Sequence, residues 1–411
     1  MLETEPKPKM KIHRNLALAI IAGLKRILIE RNQADLTVSH LLQSNKSWGA
    51  RDRNFIAENI YNIIRYKRLY AFCCNEETGE EPWIWKMLGM KLLLENFELP
   101  AWDEFSGLNR EECLSRYKEA QSIRKIRESI PDWLDELGEK VLGENWETEI
   151  AALNTQAKLS IRVNTLKTDK NALQNILTAE GITSYDTELA PDALIIDTKK
   201  NLKRNAAYLN GLFEVQDVSS QLVAPMLTVE PGMYVIDGCA GAGGKTIHIA
   251  AAMKNEGKIL AVDVNENKLK QLSIRAARSG TSIIETLMIE QLEAYFQRRS
   301  FILADRILLD VPCSGLGVLR RKPDAKWSMS LQFIEVLIKT QSQILERYAP
   351  LLKPGGILVY STCSILAAEN ELQVRNFIKK NNGIFKLLEE KKVSASKTGF
   401  DGFYIAKLIK A

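Results

Sequence analysis

The chain has little of what small disulfide-bonded or metal-bound domains depend on. Its 411 residues include six cysteines and three histidines, His13, His40 and His248. Cys73 and Cys74 are adjacent, the other four are far apart, and no C-x-x-C pair or Cys/His cluster at zinc spacing occurs. That excludes a disulfide framework and a zinc module. Reduced thiols in a cytoplasmic protein without a metal site are expected instead. Long apolar runs are missing too. The greasiest early stretch, Leu16–Leu24, ends at Lys25 and Arg26, far short of a bilayer span, so no membrane partner is expected. No charged n-region, apolar h-region and small-residue cleavage site open the chain, so no secretory signal is expected. Internal repeats are absent.

What is present is ordinary for a globular protein: 45% hydrophobic and 26% charged residues, too apolar for a disordered chain. At roughly 150 residues per domain, the length suggests two or three domains. Charge is uneven. Residues 1–70 carry 13 Lys and Arg against 6 Asp and Glu, residues 71–150 carry 9 against 19, and the remainder 34 against 26. A basic head and a basic C-terminal region around an acidic middle suit contact with a polyanion at two surfaces.

Residues 12–72 read as helices: Ile12, Leu16, Ala19, Ile20 and Gly23, then Phe55, Ile56, Ile60, Ile63, Ile64 and Tyr70, fall at helical spacing. The second of these carries Arg51, Arg53, Arg65, Lys67 and Arg68, either a solvated face or an RNA-facing one. Residues 76–110 set acidic and Gly/Pro breaks around Trp83, Trp85 and Trp102, and Pro131 marks a boundary. From residue 158 the texture changes. Segments 160–164 and 193–196 read as strands flanking a helix over 171–180, a small α+β module. After Pro231-Gly232, apolar strands at 234–237, 258–262, 307–309 and 356–360 alternate with helices. That pattern predicts a parallel sheet covered on both faces, whose ligands lie beyond the carboxyl ends of its strands.

The first of these strands leads into Asp237-Gly238-Cys239-Ala240-Gly241-Ala242-Gly243-Gly244-Lys245-Thr246. The ending is that of a P-loop, but Cys239 stands where a P-loop needs its first glycine. The dinucleotide pattern G-x-G-x-x-G fails as well, because Thr246 follows Gly241 and Gly243 at the third position. What is left is a glycine turn that allows close backbone approach and aims amides at an anionic ligand. Asp263 ends the next strand, where a carboxylate can hold a ribose diol. This pairing fits S-adenosylmethionine as well as NAD. Leu352-Lys353-Pro354-Gly355-Gly356 before a strand also recurs in methyltransferases.

Two further strands end in cysteine motifs, Asp310-Val311-Pro312-Cys313-Ser314-Gly315 and Tyr360-Ser361-Thr362-Cys363-Ser364. A lone cysteine is usually a buried small hydrophobe. Two on the ligand side of one sheet suit methylation at carbon 5 of a pyrimidine. That carbon is too weak a nucleophile until a thiolate adds to C6, and a carboxyl group at the N3/N4 edge stabilises the developing charge. The later loss of the C5 proton and of the thiol calls for acid–base groups.

On these residues the chain resembles the Sun/NOP family of RNA cytosine-5 methyltransferases, most closely its NusB-fused bacterial branch, the RsmB-type 16S rRNA methyltransferases. The resemblance covers nearly the whole chain. Its carriers are Arg162-Val163-Asn164-Thr165, the segment Gln216 through Gln221, the glycine turn, Asp310 through Trp327 with Arg320-Arg321-Lys322-Pro323-Asp324, the second cysteine motif, and Asp401-Gly402-Phe403-Tyr404. The resemblance implies that Cys363 attacks C6 and that Cys313 assists breakdown of the adduct. Asp310 would contact the base or the cofactor's methyl end. Asp263 would hold the ribose of S-adenosylmethionine, and Cys239, Ala240, Gly241, Ala242, Gly243, Gly244 and Lys245 its methionine part. Glu290 is the candidate beside adenine. The family turn usually reads Cys-Ala-Ala-Pro-Gly-Gly-Lys, so this chain lacks its proline. Arg320, Arg321, Lys322 and Lys326 would contact phosphates, and Trp327 would stack or pack.

The resemblance implies an α/β, Rossmann-like methyltransferase domain over 213–411. Ahead of it come a NusB-like all-α RNA-binding domain over 1–128 and an RRM-like α+β module over 129–212. A monomer acting on 16S rRNA is expected. A tRNA cytosine-5 methyltransferase and a non-catalytic RNA-binding or assembly factor are the alternatives, which methyl transfer and cofactor binding would separate.

Overall fold

Helix-spaced apolar residues bury the first helices against one another, as the periodicity predicts. The computed structural model describes residues 12–76, 81–198, 202–298 and 302–411. Residues 1–11, at the opening scanned for a secretory signal, and 77–80, within the acidic break, lie outside them. The chain divides into two units, Met1–Asn154 with Leu319–Met329, and Thr155–Val318 with Ser330–Ala411.

The first unit is all-α in its described residues. Helices Arg14–Leu28 and Ala50–Arg65 turn Ile20, Leu24, Ile56, Ile60, Ile63 and Ile64 into its core. Between them Gly23 permits close approach, since a Cβ there would sit 2.6 Å from Ile60 Cδ1. Glu81–Leu94 forms a further helix that the sequence reading passed over. It buries Trp83, Ile84, Trp85, Met87, Leu88, Met90, Leu92 and Leu93, so it is apolar nearly all round and leaves no amphipathic period to detect. Helices Asp132–Leu142 and Trp146–Leu153 belong to this unit.

The strap 319–329 corrects an expectation. Arg320 and Lys326 do not present their charges to phosphates: both are buried. Lys326 Nζ donates to the carbonyls of Arg65 (2.7 Å) and Glu128 (3.2 Å) and to Asn154 Oδ1 (3.1 Å). Arg320 donates to Ala152 O at 2.7 Å, and Trp327 Nε1 to Ile64 O at 2.8 Å. These carbonyls lie at helix C-terminal ends, where peptide acceptors lack partners and the dipole is negative, so cations settle there. Arg65, read as solvated or RNA-facing, is buried too and donates to Arg320 O at 2.8 Å. Of the basic run, Lys322 is exposed.

The second unit holds two sheets. In the smaller, β1 (Leu159–Val163), β2 (Thr183–Asp186), β3 (Ala193–Asp197) and β4 (Phe213–Val215) lie in the order β2-β3-β1-β4, every pair antiparallel. With helix Lys170–Ala179 after β1 and the turn of helix Ala206–Leu209 before β4, the topology is β-α-β-β-α-β.

The larger sheet contains β5 (Tyr234–Asp237), β6 (Lys258–Asp263), β7 (Ile284–Met288), β8 (Ala304–Asp310), β9 (Leu352–Thr362), β10 (Phe385–Val393) and β11 (Phe403–Lys410). Their order is β10-β11-β9-β8-β5-β6-β7. The five strands β5 to β9 pair in parallel, as the apolar runs predict; β11 and β10 add antiparallel at one edge, so the sheet is mixed. The seven middle residues of β10 are exposed, which hides it from a search for continuous apolar strands. The chain steps from β5 to β6 on one side and returns to β8 on the other, so a topological switch point opens at the carboxyl end of β5.

Candidate active site

The turn after β5 sits at that switch point. Its glycines have distinct duties. Gly243 caps helix Gly244–Ala252 at φ +84°, and a Cβ on it would lie 2.4 Å from Leu272 Cγ, so a side chain is excluded twice over. Gly241 has φ +55° and its N–H donates to Asp263 Oδ2 at 2.8 Å, while a Cβ there would meet nothing within 4 Å. The turn therefore faces open space at Gly241, beside the acid that ends β6. Asp263 Oδ1 accepts from Asn265 N at 2.9 Å.

Two arginines clamp the turn from behind, and sequence reasoning assigned neither a role. Arg275 donates to Ala242 O at 2.6 Å, and the buried Arg162 of β1 donates to Gly244 O at 2.8 Å. Burial lowers the Arg162 guanidinium to about 10. Buried Glu214 of β4 anchors Arg275 (2.9 Å) and Arg278. These bonds restrain the turn where the family's proline is absent. Only Arg162 was signalled in the sequence, by the Arg-Val-Asn-Thr motif.

Buried Asp237, the last residue of β5, accepts from Thr246 Oγ1 at 2.7 Å. Burial, opposed by that hydrogen bond and reinforced by Asp310, raises its carboxyl to about 7. Burial likewise pushes the Cys239 thiol well above its ordinary range, so Cys239 packs as a neutral group. His248 is buried, and burial pushes its ring toward neutrality.

Parallel pairing sets Asp310 opposite Ser361 at the ends of β8 and β9, and both thiol motifs leave from there. Asp310 Oδ2 accepts from Lys245 Nζ at 2.6 Å, and Oδ1 from Ser361 Oγ at 2.8 Å. The sulfurs of Cys313 and Cys363 lie 3.3 Å apart, both half-buried, and Cys363 N donates to Cys313 Sγ at 3.3 Å. The hydrogen bond to Cys363, then burial, raises the Cys313 thiol well above its ordinary range. Cys313 is thus a protonated thiol at neutral pH beside a second sulfur. Gly317 admits this packing: a Cβ on it would strike Gly402 O at 2.2 Å, and its N–H donates to Cys363 O at 2.9 Å.

The structure therefore brings residues 239–245, Asp263, Asp310, Cys313 and Cys363 to one edge of one sheet. Glu290 lies on the same edge, exposed, in the turn after β7, where Met288 pairs with Asp263. The reading missed Glu369, which is buried beneath both cysteine loops; no short motif marks it.

A glycine turn at the switch point, a strand-end acid on the neighbouring strand and this strand order define a Rossmann-like methyltransferase domain, whose cofactor is S-adenosylmethionine. The donor set suits that cofactor: Asp263 for a diol, turn amides and Lys245 for a carboxylate, and open space at Gly241 to admit both. A family model described as 16S rRNA methyltransferase RsmB/F matches residues 224–409, and one described as an RsmF/B-like ferredoxin-like domain matches 130–203. The chain is 32% identical over 401 residues to the probable ribosomal RNA small subunit methyltransferase B of Synechocystis sp., covering 89% of this chain and 88% of that one. With its Bacillus subtilis counterpart the identity is 30%, over 86% of each chain. The chain belongs to the RsmB/F methyltransferase family. Among solved structures, PH0851 shares the fold (TM-score 0.83, 24% identity, 98% of this chain and 100% of that one). A methyltransferase homologue from Pyrococcus horikoshii is 27% identical, with TM-score 0.62 over 70% of this chain and 98% of that one.

Proposed function

We propose that the chain is an RNA cytosine-5 methyltransferase acting on 16S rRNA as a cytoplasmic monomer, through a covalent adduct between Cys363 and C6. The observation that carries this reading is the pair of sulfurs 3.3 Å apart beyond two adjacent strand ends that begin at Asp310 and Ser361. One thiol suffices for attack; a second beside it, held protonated, supplies a donor to the sulfur as it leaves.

When bound, S-adenosylmethionine supplies an electrophilic methyl group. The chain's residues do the rest. Cys363 Sγ adds to C6 and makes C5 enamine-like. Asp310, fixed by Lys245 and Ser361, stands at the N3/N4 edge and stabilises the charge that builds there. Once C5 carries its new substituent, a water molecule takes the C5 proton, the electron pair of that C–H bond forms the C5–C6 double bond, and Cys363 is expelled as a thiolate. The protonated Cys313 thiol, 3.3 Å away, donates a hydrogen bond to that departing sulfur. Residues 239–245 and Asp263 hold the cofactor, and Glu290 lies toward its adenine. The all-α unit acts as a NusB-like RNA-binding head, the β-α-β-β-α-β module as its RRM-like companion, and exposed Lys322 contacts phosphate.

Incubating the protein with labelled S-adenosylmethionine and small-subunit RNA, then mapping 5-methylcytosine, tests the reading. One labelled 16S cytosine is expected. Label on tRNA alone would replace the substrate, and cofactor binding without transfer to any RNA would refute the enzyme.

A further inference from the structure

We propose that Glu369 is a positioning residue that latches the two thiol-bearing loops together, holding the sulfurs of Cys313 and Cys363 at their 3.3 Å separation. This rests on reading those thiols as the reacting pair. Strand pairing does not hold them by itself. The last strand-to-strand backbone bond near β8 and β9 is Val311 N to Ser361 O at 3.1 Å; both cysteines lie beyond it, where the loops meet through Gly317 N to Cys363 O at 2.9 Å and through Ser314 Oγ, 3.1 Å from Ser364 Oγ.

Glu369, fully buried, spans the gap with one carboxylate. Its Oε1 accepts from Ser314 N at 2.8 Å and from Gln341 Nε2 at 3.0 Å. Its Oε2 accepts from Ser314 Oγ at 2.5 Å and from Ser364 Oγ. Ser314 follows Cys313 and Ser364 follows Cys363, so one rigid group grips the residue after each thiol. Gln341 also donates to Pro312 O at 3.0 Å, fixing the residue before Cys313.

These four donors are neutral. A carboxylate buried among neutral donors is an expensive way to hold a fold, and an apolar contact would serve stability as well. What the carboxylate provides is four acceptor sites in fixed geometry, three for the Cys313 loop and its support Gln341 and one for the Cys363 loop. Glutamine keeps much of this: its carbonyl faces Ser314 N and Gln341, and both serine hydroxyls rotate to accept from its amide. Alanine removes all of it.

The test reads sulfur proximity directly. Glutathione disulfide oxidises the two thiols to a Cys313–Cys363 disulfide and is itself reduced to two glutathione thiols, conserving electrons and protons. In Glu369→Ala, disulfide closure slows at least about tenfold and methylation falls about 100-fold, the scale of a misplacement near 1 Å, while cofactor affinity is unchanged. Glu369→Gln stays near the natural protein in both. Should Glu369→Ala fail to fold, the double variant Ser314→Ala, Ser364→Ala keeps the carboxylate, loses both hydroxyls and slows closure in its place. Closure at the natural rate in a variant without the latch overturns the proposal, whatever its methylation. Slowed closure in a protein that methylates no cytosine keeps the latch and removes the function proposed above.

Discussion

Lys326→Met is expected to unfold the all-α unit early. In the native protein its ammonium meets three acceptors, the carbonyls of Arg65 and Glu128 and the side-chain oxygen of Asn154. Glu128 O keeps a second donor, Asn154 Nδ2 at 3.0 Å, so two acceptors lose their partner. Each buried orphan costs about 1–3 kcal/mol. Methionine fills the space of the lysine stem, which limits the cavity term. Burial lowers the lysine's pKa, so removing the charge returns part of the loss. The net is about 3 kcal/mol, or roughly 6–12 °C in Tm for a unit of this size. All seven tryptophans lie in this unit, so denaturant unfolding followed by tryptophan fluorescence reports on it alone. A midpoint within about 0.5 kcal/mol of the natural protein, the range of ordinary surface changes, would refute the claim that Lys326 is a structural cation.

Asp237 favours its protonated form in the folded state, so it makes stability fall as pH rises from about 4 toward about 7. Asp237→Asn should remove that slope, on the order of 3 kcal/mol between pH 5 and pH 8, in unfolding curves by circular dichroism at those two pH values; an unchanged pH profile would contradict the assignment. Gly243→Ala should destabilise the second unit by at least about 2 kcal/mol and abolish cofactor binding, because φ is +84° and Leu272 blocks the Cβ. Arg162→Met should weaken cofactor binding at least about tenfold by calorimetry, the value of one charge-assisted bond to the turn, while the protein stays folded.

Local signals made the site's ligand-facing residues legible. Strands are continuous apolar runs in a doubly covered sheet, so the sequence alone sets Asp263, Asp310 and both cysteines at strand ends. The glycine turn announced itself by composition. Residues that act from behind were not legible, because their partners are remote in sequence. Arg275 and Glu214 look like surface charges until the fold sets them 61 positions apart in sequence yet 2.9 Å apart in space. Lys326 misled for the same reason: in sequence it joins a basic run, while in the fold it satisfies helix carbonyls. Glu369 sits in an unremarkable acidic stretch, and only the convergence of Ser314 and Ser364 gives it a role. In the fold itself, the antiparallel edge strand β10 and the helix Glu81–Leu94, apolar nearly all round, escaped because each lacks the period that betrays its type.

The division of labour between the two thiols is the claim on which the account turns, and one gel tests it. Cys313→Ala, Cys363→Ala and the double variant are incubated with S-adenosylmethionine and small-subunit RNA, denatured and separated by mass. Cys313→Ala is expected to accumulate a protein–RNA adduct, because Cys363 still attacks and has lost the thiol that aids its release; the other two variants should give none. An adduct in Cys363→Ala, with none in Cys313→Ala, would contradict the account.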